Sequence, residues 1–181
     1  TPYVVIEQDI LDGVPRSEWV RTVKDNLRKK FPNGVTVGNN VIEINAQSRR
    51  EMTFSKYMQR LMRTDRQLFA DKLRATNNTD EILRAARNWV NEALLHPRRD
   101  AIIDFARGEV LMRMARHDYA TQVIVGNREE GNLLLYDIIN LEPTEILENK
   151  TGTDYITKPQ NGTGDRQSAP VSDTSIPEAG E

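Results

Sequence analysis

The stretch from Arg107 to Leu141, RGEVLMRMARHDYATQVIVGNREEGNLLLYDIINL, decides how this chain is read. In RGEVLMRM, Val110, Met112 and Met114 alternate with Leu111 and Arg113. That period of two belongs to a half-buried strand, because successive side chains of a strand point to opposite faces. YATQVIV and NLLLYDIINL are strand-like as well, and ARHD and GNREEGN between the runs carry turn chemistry. An antiparallel meander of three or four strands is the expectation.

Upstream of Arg107 the period changes to that of helices. Pro15 and Ser17 start one that places Trp19, Val20, Val23, Leu27 and Phe31 on one face. Ser48-Arg49-Arg50-Glu51 has capping-box spacing ahead of Phe54, Tyr57, Met58, Leu61 and Met62, and Thr64-x-x-Gln67 repeats it before LFADKLRA. NNTD then stops one helix and caps the next, which carries Ile82, Leu83, Ala86, Trp89, Val90, Ala93 and Leu94 and ends at His96-Pro97. YVVIEQDIL is a β-rich opening, and NGVTVGNNVIEIN reads as a hairpin or bent strand. The expected fold is therefore α+β, with N-terminal and central helices followed by a three- to four-stranded antiparallel sheet. Such segregation argues against a βαβ nucleotide-binding fold.

Composition bounds the rest. A chain of 181 residues suits one domain with a tail. Hydrophobic content of 38% is low, and the deficit lies at the end. Residues 150–181 are Gly, Pro, Ser, Thr and Asp with isolated apolar residues, too few to offset ordering entropy, so a disordered polar tail is expected after a domain at 1–149. Thr1-Pro2-Tyr3 is neither an initiator methionine nor a signal peptide and reads as a cut inside a longer polypeptide. Three Asn-x-Thr matches, at Asn77, Asn149 and Asn161, are read as chance. No run of about 18 apolar residues predicts a membrane span. Cysteine is absent, which excludes disulfides, thiolate zinc sites and thiol nucleophiles.

The net charge of -2 conceals a segregation. Residues 48–116 hold 15 Lys/Arg against 9 Asp/Glu, a net of +6, while residues 117–149 hold 1 against 7, a net of -6. One reading is solvated helix faces balancing an acidic edge. The other is a basic groove able to take phosphates.

No phosphate loop, nucleophile elbow, paired-carboxylate signature or metal-ligand spacing appears, so neither metal nor cofactor is expected. Arg, Lys, His, Tyr and Thr remain. That set suits cleavage of RNA through its own 2′-hydroxyl, which needs an acid and a base and cations on the phosphorane. Histidine titrates near neutrality, and the arginine fork matches two phosphate oxygens. Each candidate also has an ordinary reading. His96, in LLHPRRDAII, is a cation on the last turn of a helix, and Arg98 and Arg99 are loop residues in solvent. Arg107, in DFARG, faces a groove or pairs with Asp104. Tyr119 and Tyr136 are strand packing, Asp137 pairs with an arginine of the basic layer, Thr144 is a turn or cap, and His117 is an exposed turn residue.

VPRSEWVRTVKDNLRKKFPNGVTVGNN, QSRREMTFSKYMQRL, HPRRDAIIDFARG and VIVGNREEGNLLLYDIINLEPTEI together resemble the C-terminal region of MuF-type phage head proteins of Firmicutes phages and prophages. The resemblance implies a domain of the barnase–EndoU–colicin–RelE-like nuclease superfamily, carried by a virion-associated or polymorphic-toxin polypeptide. It implies a metal-independent endoribonuclease in the bacterial cytoplasm or the virion. His96 would be general acid or base, and Arg107 the phosphorane clamp. Tyr119, Tyr136 and Thr144 would place phosphate and base, and Lys56, Arg50, Arg98 and Arg99 would bind the RNA backbone. The implied partners are RNA, an immunity protein and the parent head polypeptide, capsid or portal, with no membrane. The alternative is an interaction module that kept the fold and lost the chemistry.

Overall fold

A computed structural model describes residues 3–148 and 155–159, with side chains over 3–146. The meander is present. Ile102–Met114 (β5), His117–Arg128 (β6) and Leu133–Glu148 (β7) pair antiparallel in sequence order. Val4–Ile6 (β1) runs parallel to the end of β5, with Val4 opposite Met112. Val35–Val37 (β2) and Asn40–Glu43 (β3) form the expected hairpin, and β3 lies parallel to the start of β7. Arg87–Ala93 (β4) pairs antiparallel with β5, and Tyr155–Pro159 (β8) with β7.

The expectation of three or four antiparallel strands after the helices is therefore corrected. Among the described residues the sheet has eight strands, is mixed, and draws β1, β2 and β3 from ahead of most helices. The cause is the length of β5 and β7. Each leaves a long outer edge of unpaired backbone groups, and short apolar segments dock there to satisfy them. β8 falls inside the segment expected to be a disordered tail; the boundary at residue 149 and the remainder of that segment lie outside the described residues.

Among the described residues five α-helices cover one face: Trp19–Lys30 (α1), Ala46–Phe54 (α2), Lys56–Thr64 (α3), Arg66–Asn77 (α4) and Thr79–Ala85 (α5). The capping box ahead of α2 is one turn earlier than expected. The Asn45 side chain accepts from the Ser48 N–H, and the Ser48 hydroxyl accepts from the Asn45 N–H. Ser55 breaks the long helix expected through Met62 and caps α3 through the Met58 N–H. Asp65, rather than Thr64, caps α4 through the Leu68 N–H.

The second correction bears on function. The helix expected to reach His96 stops at Ala85: Ala86 is extended and Asn88 left-handed at φ 56°. Trp89 and Val90, whose spacing suggested a buried helical stripe, sit on β4 and are 41% and 59% exposed. A helical stripe left in water has nothing to pay its ordering entropy, whereas β4 satisfies its backbone against β5. Trp89 lies over Gly108, where an added Cβ would come within 2.8 Å of the indole, so the contact requires a glycine.

The main core lies between helices and sheet, with Val23, Leu27, Met52, Met58, Phe69 and Leu73 packed against Val110, Met112, Val123, Leu135 and Ile138. Ile102, Phe105, Ile124, Leu134, Tyr136 and Ile139 form a separate, smaller cluster, with Leu94 packed on it. Among the described residues no helix is long and apolar enough to cross a membrane.

Candidate nucleic-acid interface

Tyr119 and Thr144 do not meet Arg107, with which they were expected to act. Arg107 lies in the middle of the helix-free face. Its Nη2 donates to both Glu92 carboxylate oxygens at 2.7 and 3.1 Å, and Nη1 to Gln122 Oε1 at 3.0 Å. The partner weighed for it, Asp104, is not the one it takes. Tyr119 is buried in the main core, on the helix side, and pairs in register with Met112. Five residues of strand separate that register from Arg107, roughly 17 Å at the rise of a β-strand, and the two side chains point to opposite faces. Thr144 is buried still farther along, opposite Asp118, whose partner on β5 is Arg113.

The Tyr119 hydroxyl donates to Asp71 Oδ2 at 2.5 Å, and burial followed by this bond raises its pKa far above the usual phenol range. Asp71 also accepts from Arg74, which reaches Asp9, so Tyr119 is the inner end of a structural chain of pairs. His96 is exposed on the loop between β4 and β5. It follows a strand, so the helix-end reading is corrected. His117 is half-buried, its Nε2 meeting the Gln67 amide. Arg99, Lys56 and Arg50 are exposed.

Two of the expected residues do come together, in a knot that ties the β4–β5 loop to the helices. The Arg98 guanidinium lies over the Phe105 and Tyr136 rings at 5.3 and 5.4 Å and forks onto Asp100 at 3.0 and 2.7 Å. Asp100 also accepts from Gln47 Nε2 at 2.9 Å. The Asp100 bonds, led by that with the carboxylate, raise the Arg98 pKa, so the guanidinium stays charged. Beside them, Lys72 Nζ donates to Asp137 Oδ1 at 2.9 Å and lies 5.6 Å from the Tyr57 ring centroid. Burial raises the carboxyl pKa of Asp137, and burial plus the Asp137 charge raises that of Glu51. Burial likewise pushes the Tyr57 phenol to about 12.

Lys72, Glu51 and Asp71 were missed from the sequence. One signal for Lys72 was present: it sits between Phe69 and Thr76 at helical spacing, a charge on an apolar stripe. Asp137, for which an arginine of the basic layer is one expected partner, pairs with this lysine. Within the knot Arg98 faces Asp100 and Lys72 faces Asp137, Glu51 lies near the like charge of Asp137, and the Asp100–Gln47 bond fixes the loop to α2.

An open site lies on the outer surface of the helices. Arg21, Lys24 and Arg28 recur at helical spacing along α1 and, with Arg49 and Arg50 of α2, line a groove of about 760 Å³. Asp25 is its one acidic lining residue. Arg21 and Arg28 pair with Glu18 and Asp25 at 2.5 and 2.7 Å, one turn away. Such exposed pairs contribute about 0–1 kcal/mol and yield readily to a phosphate. Among the described residues no group of three His, Cys, Asp or Glu is placed to hold a metal. No protein-family model, curated protein or solved structure matches this chain.

Proposed function

We propose that this domain binds RNA along the α1–α2 groove and does not cut it with His96, Arg107, Tyr119, Tyr136 and Thr144. The observation that carries this reading is the groove itself, with five cations facing one carboxylate in a trough open to solvent. Phosphate backbones bind such surfaces by releasing counterions, without any reaction. The proposal keeps the RNA partner of the nuclease reading and the catalytic silence of the interaction-module reading. The choice of RNA over other polyanions rests on the sequence resemblance. The loss of catalysis rests on the separation of Tyr119 and Thr144 from Arg107 and on the pairing that occupies Arg107.

The test is fluorescence anisotropy with a labelled single-stranded oligoribonucleotide. Five phosphate contacts give a log–log salt slope of about -3.5, so affinity should fall by about 100-fold between 50 and 200 mM salt. Lys24→Glu with Arg50→Glu should weaken binding and flatten the slope. A slope shallower than about -1, or one that this variant leaves unaltered, overturns the groove. RNA cut in EDTA by the wild type but spared by His96→Ala and Arg107→Ala overturns the absence of catalysis.

A further inference from the structure

The helix-free face of the sheet holds a second concavity, of about 590 Å³, spanning four strands. Its polar lining includes Arg87 and Asn88 from β4, Glu109 from β5, Gln122 from β6, and Asn140 and Glu142 from β7. Leu111 and Ala120 add a small aliphatic part.

Two of these side chains come from strained backbone. Asn88 has φ 56° and Asn140 φ 54°, the left-handed region that L-residues enter at a cost. Both stand at β-bulges. The β4–β5 register shifts between Arg87 and Val90, and the β6–β7 register shifts between Ala120 and Gln122. Bulges re-aim side chains, and such strain persists where the surroundings hold it. Here two separate bulges, on strands with β5 and β6 between them, bring asparagines into one cleft.

The hydrogen bonds orient the amides. Asn140 Nδ2 donates to Gln122 Oε1 at 2.9 Å, and that oxygen also accepts from Arg107 Nη1. Gln122 therefore has its Nε2 left as a donor. Asn140 Oδ1 is buried and has no donor among the described residues. Asn88 Nδ2 donates to Glu109 Oε1 at 3.1 Å, which leaves Asn88 Oδ1 and the second Glu109 oxygen as acceptors. Such a buried acceptor is one that a hydroxyl entering the cleft can satisfy.

We propose that this cleft binds a neutral oligosaccharide. Hydroxyl groups both donate and accept, as this mixture of donor and acceptor amides requires. One lining cation against two carboxylates disfavours phosphate, and the polar lining disfavours a lipid chain. Leu111 and Ala120 suit the C–H face of a sugar ring. The volume falls within the roughly 300–1,000 Å³ of small-ligand sites. The inference does not rest on RNA binding, which uses the opposite face.

The experiment is an NMR titration of the ¹⁵N-labelled protein with maltotriose, mannotriose and the N-acetylglucosamine trimer, following the side-chain amides of Asn88, Gln122 and Asn140. At least one sugar should shift all three in a saturable manner. Asn88→Gly and Asn140→Gly remove the amides and keep the backbone, because glycine adopts positive φ without strain. Each should retain the wild-type fold and lose about tenfold in affinity. Asparagines that serve only the bulges would leave sugar binding intact in the glycine variants, and that result overturns the proposal. So does the absence of amide shifts with all three sugars. Shifts of these amides by the oligoribonucleotide would give the cleft to RNA and overturn it as well.

Discussion

Lys72→Met is the sharpest test of how the helices are held to the sheet. Lys72 Nζ lies 2.9 Å from Asp137 Oδ1, with the two side chains 1% and 13% exposed. At an effective dielectric near 20, that separation corresponds to about 6 kcal/mol of gross attraction. Most of this offsets the cost of desolvating the two ions, but removing one partner strands the other, and the expected loss is about 3–5 kcal/mol near pH 7. The loss should depend on pH in a defined direction. Burial already raises the Asp137 pKa in the folded state, and removal of the ammonium raises it further. A carboxyl with a raised folded pKa carries no penalty below its unfolded value of about 3.9, and the penalty grows as pH rises above it. Urea unfolding of wild type and variant at about pH 7 and pH 4 should therefore show a large gap that narrows on acidification. Adding Asp137→Asn should recover most of the neutral-pH loss, since the amide oxygen can keep the bond from the Ile138 N–H. A loss below about 1 kcal/mol, or an equal loss at both pH values, would refute the reasoning.

Other perturbations separate structural residues from functional ones. Tyr119→Phe removes a buried bond to a carboxylate and should cost about 1.5–3 kcal/mol in chemical denaturation while leaving RNA affinity unaltered. His96→Ala, at an exposed loop position, should change stability by no more than about 0.5 kcal/mol and leave RNA binding at the wild-type level; a large change in either would restore His96 as a site residue. Gly108→Ala drives a methyl into the Trp89 indole and should cost about 1–3 kcal/mol, with a red shift of tryptophan emission as the ring is displaced. Adding Trp89→Ala should relieve that cost, and no relief would mean that the contact is not its source.

The central strands were legible because each buries one face and the alternation survives in Val110, Met112 and Met114. The α1 helix was legible for the same reason, through Val23 and Leu27. The segment after Ala85 misled because Ala86, Trp89, Val90 and Ala93 fit a helical stripe, and spacing alone does not tell whether a stripe has anything to bury against. Site assignment suffered from a related blindness. Arg107, Tyr119 and Tyr136 all lie on strands, but which strand face each occupies depends on parity and bulges. Alternation from Leu134 puts Tyr136 in the smaller cluster and turns Asp137 to Lys72, and the register slip between Ile124 and Val125 is followed by Ile138 on the main-core side as well.

What the sequence determined by itself was the α+β class, the order of the meander, the hairpin at residues 35–43 and the segregation of charge. These follow from local periodicity, turn chemistry and counting, which need no knowledge of neighbours in space. Only the tertiary structure decided that short strands complete the edges of β5 and β7 and that His96 follows a strand. It alone placed Tyr119 and Arg107 on opposite faces and brought Asn88 and Asn140 into one cleft. Those outcomes depend on hydrogen bonds and ion pairs between residues distant in the chain, and no local pattern encodes which distant partner satisfies a given backbone edge or buried charge.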